Sequence, residues 1–450
     1  MSIECFKAYD IRGRIPDQLN EDIAYRIGNA AAAFLGARRI VVGRDMRLSS
    51  AGLTDAVVRG LVEAGVDVAD IGLCGTEMVY FGVMHLGADG GIMVTASHNP
   101  ADYNGLKIVR EEARPISADS GLVDIRRLAE ADERRRAGKP GKRTSVSVYD
   151  AYIAHMLGYV DVDKLKPLKL VVNAGNGCAG LAIDGLEPSL PFEFVKMHHA
   201  PDGTFPNGIP NPLLPENRAP TIAAVREHGA DFGIAWDGDY DRCFFFDDQG
   251  GFIEGYYVVG LLAESLLKAH PGGRIVHDPR LTWNTLDIVS AAGGVAVQSK
   301  SGHSFMKEKM REVDAIYGGE MSAHHYFREF SYADSGMIPW LLVAQLVSES
   351  GKSLSELVSE RQARYPTSGE INRTVADSDA TLAMLHERYA DDAENVDATD
   401  GYSFEFADWR FNIRASNTEP VIRLNIETRG DRSLLDVRTR ELLALIDAGP

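Results

Sequence analysis

Three similar mixed α/β domains followed by a smaller C-terminal α+β domain is the fold class this sequence predicts. Two observations carry it. Through residue 365, short apolar runs alternate with longer helix-period segments, the signature of parallel sheets covered by helices. Beyond 365, closely spaced strand-like runs follow one another with helices on either side, which suits an antiparallel sheet. Length agrees with several domains, since 450 residues at roughly 150 per domain gives about three.

The elements follow in order. Residues 39–43 (RIVVG) and 91–95 (GIMVT) read as buried strands, and between them 50–64 places Leu53, Ala56, Val57 and Leu61 at helical spacing. Residues 105–109 (GLKIV) form the next strand. A second block opens with 168–173 (LKLVVN) before a glycine-rich turn, then 192–195, then 231–236 (DFGIAW) and 243–247 (CFFFD) flanking a polar turn. A third block holds 274–277, 295–298 and 315–317 with helix between them. In the last part, 369–375, 402–406, 409–414 and 421–427 are strands, and 380–389 and 434–446 are helices. Boundaries are expected near the charged stretch 134–147, near 249–251 and near 364–368, giving domains 1–147, 148–250, 251–365 and 366–450.

Composition excludes several classes. Apolar residues at 45% and charged residues at 25% exclude wholesale disorder. The 65 acidic against 47 basic residues give a net charge of −18, which opposes nucleic-acid binding and requires that any anionic substrate enter a locally basic site. The Arg/Lys run in 134–147 has no interleaved aromatics and reads as a solvated helix end and linker. Cys5, Cys74, Cys178 and Cys243 form no C-x-x-C pair, so thiols in a reducing cytoplasm are expected. The charged N-terminus lacks a signal-peptide core, and the apolar runs 256–267 and 336–347 are too short to span a bilayer. A cytoplasmic protein without membrane partners is expected.

Four stretches can carry chemistry. Val94–Pro100 (VTASHNP) places Ser97 at the carboxyl end of a strand, where α/β sheets put ligands, with Lys107 close by on the next strand. An ordinary Ser/Asn/Pro turn is the plain alternative, and no G-x-S-x-G elbow is present. In Trp236–Arg242 (WDGDYDR), Asp237, Asp239 and Asp241 repel one another unless a cation sits among them, and an all-oxygen set selects Mg²⁺ or Ca²⁺. An EF-hand fails at the sixth position, Arg242, and at the twelfth, Asp248. In Gly318–His324 (GGEMSAH), Glu320 and Ser322 can offer an acceptor and a donor to vicinal hydroxyls, although taken alone the stretch reads better as a loop glutamate in solvent. In Arg414–Pro420 (RASNTEP), Arg414, Ser416, Asn417 and Thr418, with Arg423 beyond, suit a phosphate dianion. One competing signal is Gly175, Gly177 and Gly180, a G-x-G-x-x-G match that would suit a dinucleotide-dependent dehydrogenase. Its expected acidic partner is met only loosely by Glu193, and a tight strand-to-helix turn is the preferred reading.

A serine, a carboxylate cage, a hydroxyl-reading loop and a phosphate-gripping loop together are equipment for phosphoryl transfer. With these motifs in this order, plus FKAYDIRG, PGGRIVHDPR and SGHSF, the sequence resembles the α-D-phosphohexomutases, in particular the bacterial phosphomannomutase/phosphoglucomutase group, over its whole length. The resemblance implies four domains around a central cleft and an isomerase acting on phosphosugars. Ser97 is then the phosphorylated residue, and Mg²⁺ is bound by Asp237, Asp239, Asp241 and phosphorylated Ser97. The phosphoserine donates to a hexose monophosphate, a hexose 1,6-bisphosphate turns about, and the other phosphate returns to Ser97. Tyr9, Arg12, His98 and Lys107 are implied at the reacting centre, Arg242 beside the moving phosphate, and His324 as acid/base. Glu320 and Ser322 are implied on the sugar 3- and 4-hydroxyls. Arg414, Ser416, Asn417, Thr418 and Arg423 are implied on the second phosphate, with Arg280, Gly302 and His303 on the floor. Mannose 6-phosphate and mannose 1-phosphate are the expected pair, with glucose phosphates accepted as well; phosphoglucomutase or phosphoglucosamine mutase as the main activity is the alternative. A monomer or weak dimer, with hinge motion near 364–368, is expected. Ala323 departs from the glycine that many relatives carry in the sugar loop.

Overall fold

The structure, a computed structural model, describes residues 3–415 and 421–449. They divide into two compact units, Met1–Phe252 with His324–Ser353, and Ile253–Ala323 with Leu354–Pro450.

The first unit holds two mixed sheets. One has the strand order Ile11–Arg14, Tyr103–Arg110, Gly90–Val94, Arg39–Arg44, Asp67–Leu73, Arg143–Ser145. Gly90–Val94, Arg39–Arg44 and Asp67–Leu73 run parallel, whereas Tyr103–Arg110 turns straight back against Gly90–Val94. Helices Glu21–Leu35 and Ser50–Glu63 cover this sheet with fully buried Ile27, Val57 and Leu61. Their backbones touch: a Cβ on Gly60 would stand 2.2 Å from the Tyr25 carbonyl oxygen, so only glycine permits the crossing. In the other sheet, Cys243–Phe246, Phe232–Trp236, Lys169–Asn173 and Glu193–Met197 are neighbours. Phe232–Trp236 is parallel to Lys169–Asn173 and antiparallel to Cys243–Phe246. Both sheets therefore present the same device, a parallel strand followed by an immediate antiparallel return. The first return loop carries Ser97 and the second carries Asp237, Asp239 and Asp241. Every residue of Phe232–Trp236 and Cys243–Phe246 is buried, which is why these strands read as unbroken apolar runs.

Several strands escape the sequence reading, among them Asp67–Leu73, Asn395–Asp397 and two short edge strands. Arg143–Ser145, inside the stretch taken as linker, pairs parallel with Asp67–Leu73, and its Arg143 bonds Asp70 and Asp55. All three residues are exposed, so no apolar signal marks the strand. Ile11–Arg14 is a short edge strand with only Ile11 and Gly13 buried.

The second unit holds parallel strands Val295–Gln298, Arg274–His277 and Tyr317–Gly319, followed by a C-terminal antiparallel sheet. That sheet runs Thr367–Thr374, Val421–Thr428, Trp409–Ala415, Tyr402–Glu405, Asn395–Asp397. Period-two alternation sorts its faces. Ile422, Leu424 and Ile426 pack with Leu385 and Leu442 of the helices Ser378–Tyr389 and Arg432–Ala448. The opposite face carries Arg423, Asn425 and Glu427, directly across from Arg414, Asn412 and Arg410. No described helix is long and apolar enough to cross a membrane.

Candidate active site

In the first unit the two return loops meet. Ser97, only 2% exposed, donates from Oγ to Asp237 Oδ2 at 2.6 Å and lies 2.9 Å from His98 Nδ1. Its φ of +48° is left-handed, an unusual setting for a side chain, and it aims the hydroxyl at the aspartate loop. A Cβ on Gly238 would come within 2.6 Å of the Ser97 carbonyl oxygen, so the glycine between the first two aspartates admits this close approach. Arg242 Nε donates to Asp237 Oδ2 at 2.9 Å, and its NH2 group contacts His98 Nδ1. Lys107 Nζ reaches Asp239 Oδ2 at 2.7 Å and also pairs with Asp241. Arg12 donates to Asp10 Oδ2 at 2.7 Å, to the Ala96 carbonyl at 3.2 Å and to the Asn99 side chain, so it braces the serine loop. Tyr9 is half-buried just before that strand.

The carboxylates Asp237, Asp239 and Asp241 are buried, with ligand oxygens within 4.8 Å of one another. Burial raises the pKa of each, and the neighbours decide the outcome. For Asp237, Arg242 and the His98–Ser97 pair outweigh burial and hold it well below the ordinary range. For Asp239, Lys107 does the same. Asp241 goes the other way: burial and the charge of Asp239 push it well above the carboxylate range despite Lys107. Lys107 itself is raised, because the two aspartates overcome its burial. One amine and one guanidinium thus do not satisfy three carboxylates, and Asp239 Oδ1 is buried with no hydrogen-bond partner. An all-oxygen set with a charge deficit and an orphaned oxygen fits a hard divalent cation such as Mg²⁺. His98 is held down to about 4 by burial and then by Arg242, so at neutral pH it is an uncharged imidazole.

His324 comes to the same place. Its Nε2 is 3.8 Å from Asp241 Oδ1, and Asp334 completes a group of three ligand atoms within 4.8 Å. Sequence reading missed Asp334, whose strand Ala333–Asp334 is two residues long and carries no motif. It also missed Thr76, which bonds Asp239 Oδ2 through its hydroxyl and the Asp239 carbonyl through its N–H.

Glu320 and Ser322 belong to the second unit, so the GGEMSAH motif divides after Ala323. Ala323 has φ +69°, a left-handed conformation that a glycine would adopt without strain. Arg280 is a strut: it makes a two-pronged bond to Asp278 at 3.0 and 2.8 Å, and lies 3.4 Å from Glu320 and 3.3 Å from Ser322. Gly302, which opens the helix His303–Val313, donates its N–H to Glu320 Oε1 at 2.9 Å. Arg414 lies 3.2 Å from Glu370 Oε2 and sits directly across from Arg423. Like charges facing one another across strands are unfavourable unless an anion joins them. Glu370 answers part of this charge: Arg280, Arg414 and Arg423 overcome its burial and hold it below the ordinary range. Asp278 lies in the PGGRIVHDPR stretch, two residues before Arg280, whereas Glu370 carried no sequence signal of its own. Ser416, Asn417 and Thr418 lie outside the described residues.

The dinucleotide reading fails on space. A Cβ on Gly177 would stand 2.7 Å from the Gly238 carbonyl oxygen, and one on Gly180 would stand 2.1 Å from that of His199. Cys178 N–H also donates to Gly238 O at 3.1 Å. The turn is filled by the protein's own backbone and buttresses the aspartate loop.

Four domain descriptions of one family match the chain in order. Phosphoglucomutase/phosphomannomutase α/β/α domains I, II and III match residues 4–136, 150–251 and 254–365, and the C-terminal domain matches 370–444. The chain is 62% identical over 447 residues to phosphohexose mutases of Xanthomonas campestris pv. campestris, covering 99% of this chain and 100% of that one. It is 61% identical over 452 residues to a phosphomannomutase of Salmonella typhimurium, covering 99% of each. A crystal structure of a phosphoglucomutase/phosphomannomutase family protein from Burkholderia thailandensis superposes with a TM-score of 0.88 at 34% identity, covering 99% of this chain and 98% of that one.

Proposed function

The chain belongs to the phosphoglucomutase/phosphomannomutase family of intramolecular phosphotransferases, and from that premise we propose that it interconverts mannose 6-phosphate and mannose 1-phosphate through a phosphoserine at Ser97. The observation that carries the reading is Ser97 Oγ at 2.6 Å from Asp237, inside a buried carboxylate triplet flanked by Lys107 and Arg242. The phosphoryl group leaves Ser97 Oγ for the free hydroxyl of the sugar phosphate, and that hydroxyl's proton passes to His324. The hexose 1,6-bisphosphate then turns about, and its other phosphate returns to Ser97 while the proton is given back. Arg242 pairs with the moving phosphoryl group, and Arg12 and Lys107 stabilise its equatorial oxygens. Bound Mg²⁺, held by Asp237, Asp239, Asp241 and the phosphorylated serine, would supply neutralisation of the charge that develops on the transferred group. Arg414 and Arg423 grip the phosphate that does not react, together with Ser416, Asn417 and Thr418 of the RASNTEP motif. Glu320 and Ser322 hold two sugar hydroxyls, braced by Arg280 and Gly302, with His303 beside them. Because those hydroxyls are common to mannose and glucose, glucose phosphates are substrates as well.

The test is Ser97→Ala. It is expected to abolish turnover of mannose 1-phosphate in the presence of hexose 1,6-bisphosphate, and to abolish the single-phosphate mass increment of the intact chain. Normal turnover by the variant sinks the reading. Competition between mannose 1-phosphate and glucose 1-phosphate then ranks the two sugars.

A further inference from the structure

Arg47 takes no part in the chemistry proposed above, yet its side chain is more completely enclosed than any of the arginines assigned to it, at 1% exposure. Its guanidinium points into the back of the Ser97 loop. NH2 donates to the carbonyl oxygens of Ser97 at 2.9 Å and Asn99 at 2.6 Å. NH1 donates to those of Pro100 at 2.7 Å and Tyr103 at 2.9 Å. Four carbonyls of one short loop thus converge on one planar cation, with the Phe205 ring 5.1 Å from its central carbon and Asp45 3.4 Å from its Nε. A fixed fork of donors can gather carbonyls in this way, whereas a flexible ammonium cannot.

The same Asp45 reaches the loop by a second route. Its Oδ2 accepts from the Thr95 hydroxyl at 2.7 Å, and that hydroxyl accepts from the Ser97 N–H at 2.9 Å. Its Oδ1 accepts from Ser50 Oγ and from the Arg47 N–H. Ser97 is therefore held at both ends of its own residue, by Thr95 on its N–H and by Arg47 on its carbonyl. This is the residue whose φ of +48° is unfavourable for a non-glycine and must be fixed by its surroundings.

We propose that Arg47 is a positioning residue for phosphoryl transfer, fixing the left-handed backbone of Ser97 so that Oγ stays aimed at Asp237. The proposal rests on the reading of Ser97 as the phosphorylated residue. It separates the arginines assigned to phosphate from one whose fork is taken up by main-chain carbonyls behind the nucleophile.

The test uses Arg47→Met, which keeps the stem and removes the fork, and Thr95→Val, which removes the hydroxyl relay and leaves Arg47 intact. Full-length proteins are compared for kcat and KM with mannose 1-phosphate, and for the single-turnover rate at which glucose 1,6-bisphosphate phosphorylates Ser97, read by intact mass. Misplacing a reacting atom by about 1 Å costs on the order of 100-fold. Arg47→Met is accordingly expected to lower kcat and the phosphorylation rate by about 100-fold with KM within about threefold, and Thr95→Val to lower both rates by about tenfold. A folded Arg47→Met protein with kcat within about threefold of the parent overturns the proposal, as does a loss carried by KM. If Arg47→Met does not fold, Thr95→Val decides alone, and a kcat within about twofold of the parent overturns the proposal. A parent protein that never phosphorylates Ser97 overturns the functional reading and this inference with it, whereas a competent parent with an equally fast variant overturns this inference only.

Discussion

The aspartate loop of the first unit and the polar face of the C-terminal sheet in the second set the same problem with opposite signs. In the loop, three carboxylates crowd within 4.8 Å, and Lys107 and Arg242 answer only part of the charge. On the sheet, Arg414 faces Arg423 across the strands; Glu370 and, at 3.8 Å, Asp400 lie against Arg414, while Arg280 is taken up mainly by Asp278 and Glu320. Elsewhere a buried charge can be fully matched. Buried Arg410, for instance, is matched by Glu427, which also accepts from Thr282 N–H and Tyr256 OH. Charge left over after burial is costly, so it persists where a ligand of the missing sign completes it. One region leaves a deficit of positive charge among its carboxylates, and the other sets two guanidinium groups face to face. The basic set also answers how a chain of net charge −18 can hold an anionic substrate.

The largest effect is expected on the acidic side. Asp239→Asn keeps the shape of the loop and removes the charge that Lys107 and the orphaned Oδ1 both mark. We expect kcat to fall by about 10³-fold at saturating substrate, and the Mg²⁺ concentration for half-maximal rate to rise. Titrating activity against Mg²⁺ measures both. A variant with kcat within tenfold of the parent and the same Mg²⁺ dependence would show that the triplet is a structural ion-pair cluster only.

How much of this contrast was legible beforehand depends on whether a group advertises its own need. Three aspartates alternating between two apolar strands do so, because repulsion at that spacing has few remedies. Ser97 does so through its place after a parallel strand. Glu370, Asp334 and Thr76 do not: each is an ordinary residue in an ordinary stretch, and only tertiary packing brings it to a charged partner. The fold divides in the same way. Arg39–Arg44 and Cys243–Phe246 are buried strands and announced themselves, whereas Arg143–Ser145 pairs at an edge with every residue exposed. Gly175–Gly180 misled for a physical reason as well, since close backbone approach demands the same glycines whether the guest is a pyrophosphate or the protein's own loop.

Glu77 supplies the control for a buried carboxylate with no cation. It is fully enclosed and accepts from Tyr152 OH and the N–H groups of Gly336 and Met337. Burial wins over these neutral donors and pushes it up to about 7. The folded-state value lies above the unfolded one, so the folded form holds a proton that the unfolded chain releases. Its stabilisation is complete below the unfolded value of about 4.5 and is lost as pH rises through 7, a change of about 3 kcal/mol. Denaturant unfolding of the parent and of Glu77→Gln at pH 4.5 and pH 8 reads this directly. The stability advantage of the parent over the variant should shrink by about that amount between the two, and a difference independent of pH would mean that Glu77 is charged throughout, like Asp237.

The smallest effect is expected on the basic side. Arg423→Met keeps much of the side-chain stem and removes the like charge that faces Arg414. In the protein without ligand this relieves repulsion, so stability should hold or rise slightly. With a sugar phosphate bound, a charged hydrogen bond worth about 1.5–3 kcal/mol is lost, which corresponds to a 10- to 100-fold weaker KM for mannose 1-phosphate. Because the contact is to a phosphate that does not react, the interaction is present in ground and transition states alike, and kcat should change far less than KM. The opposite pattern, a large loss in kcat with KM unchanged, would place Arg423 at the transferring group and remove the distinction between the acidic region as the seat of the chemistry and the basic face as the grip. Raising the salt concentration offers a second reading of the same variant. The parent's KM should climb with ionic strength more steeply than that of Arg423→Met, since one fewer charge is left to be screened.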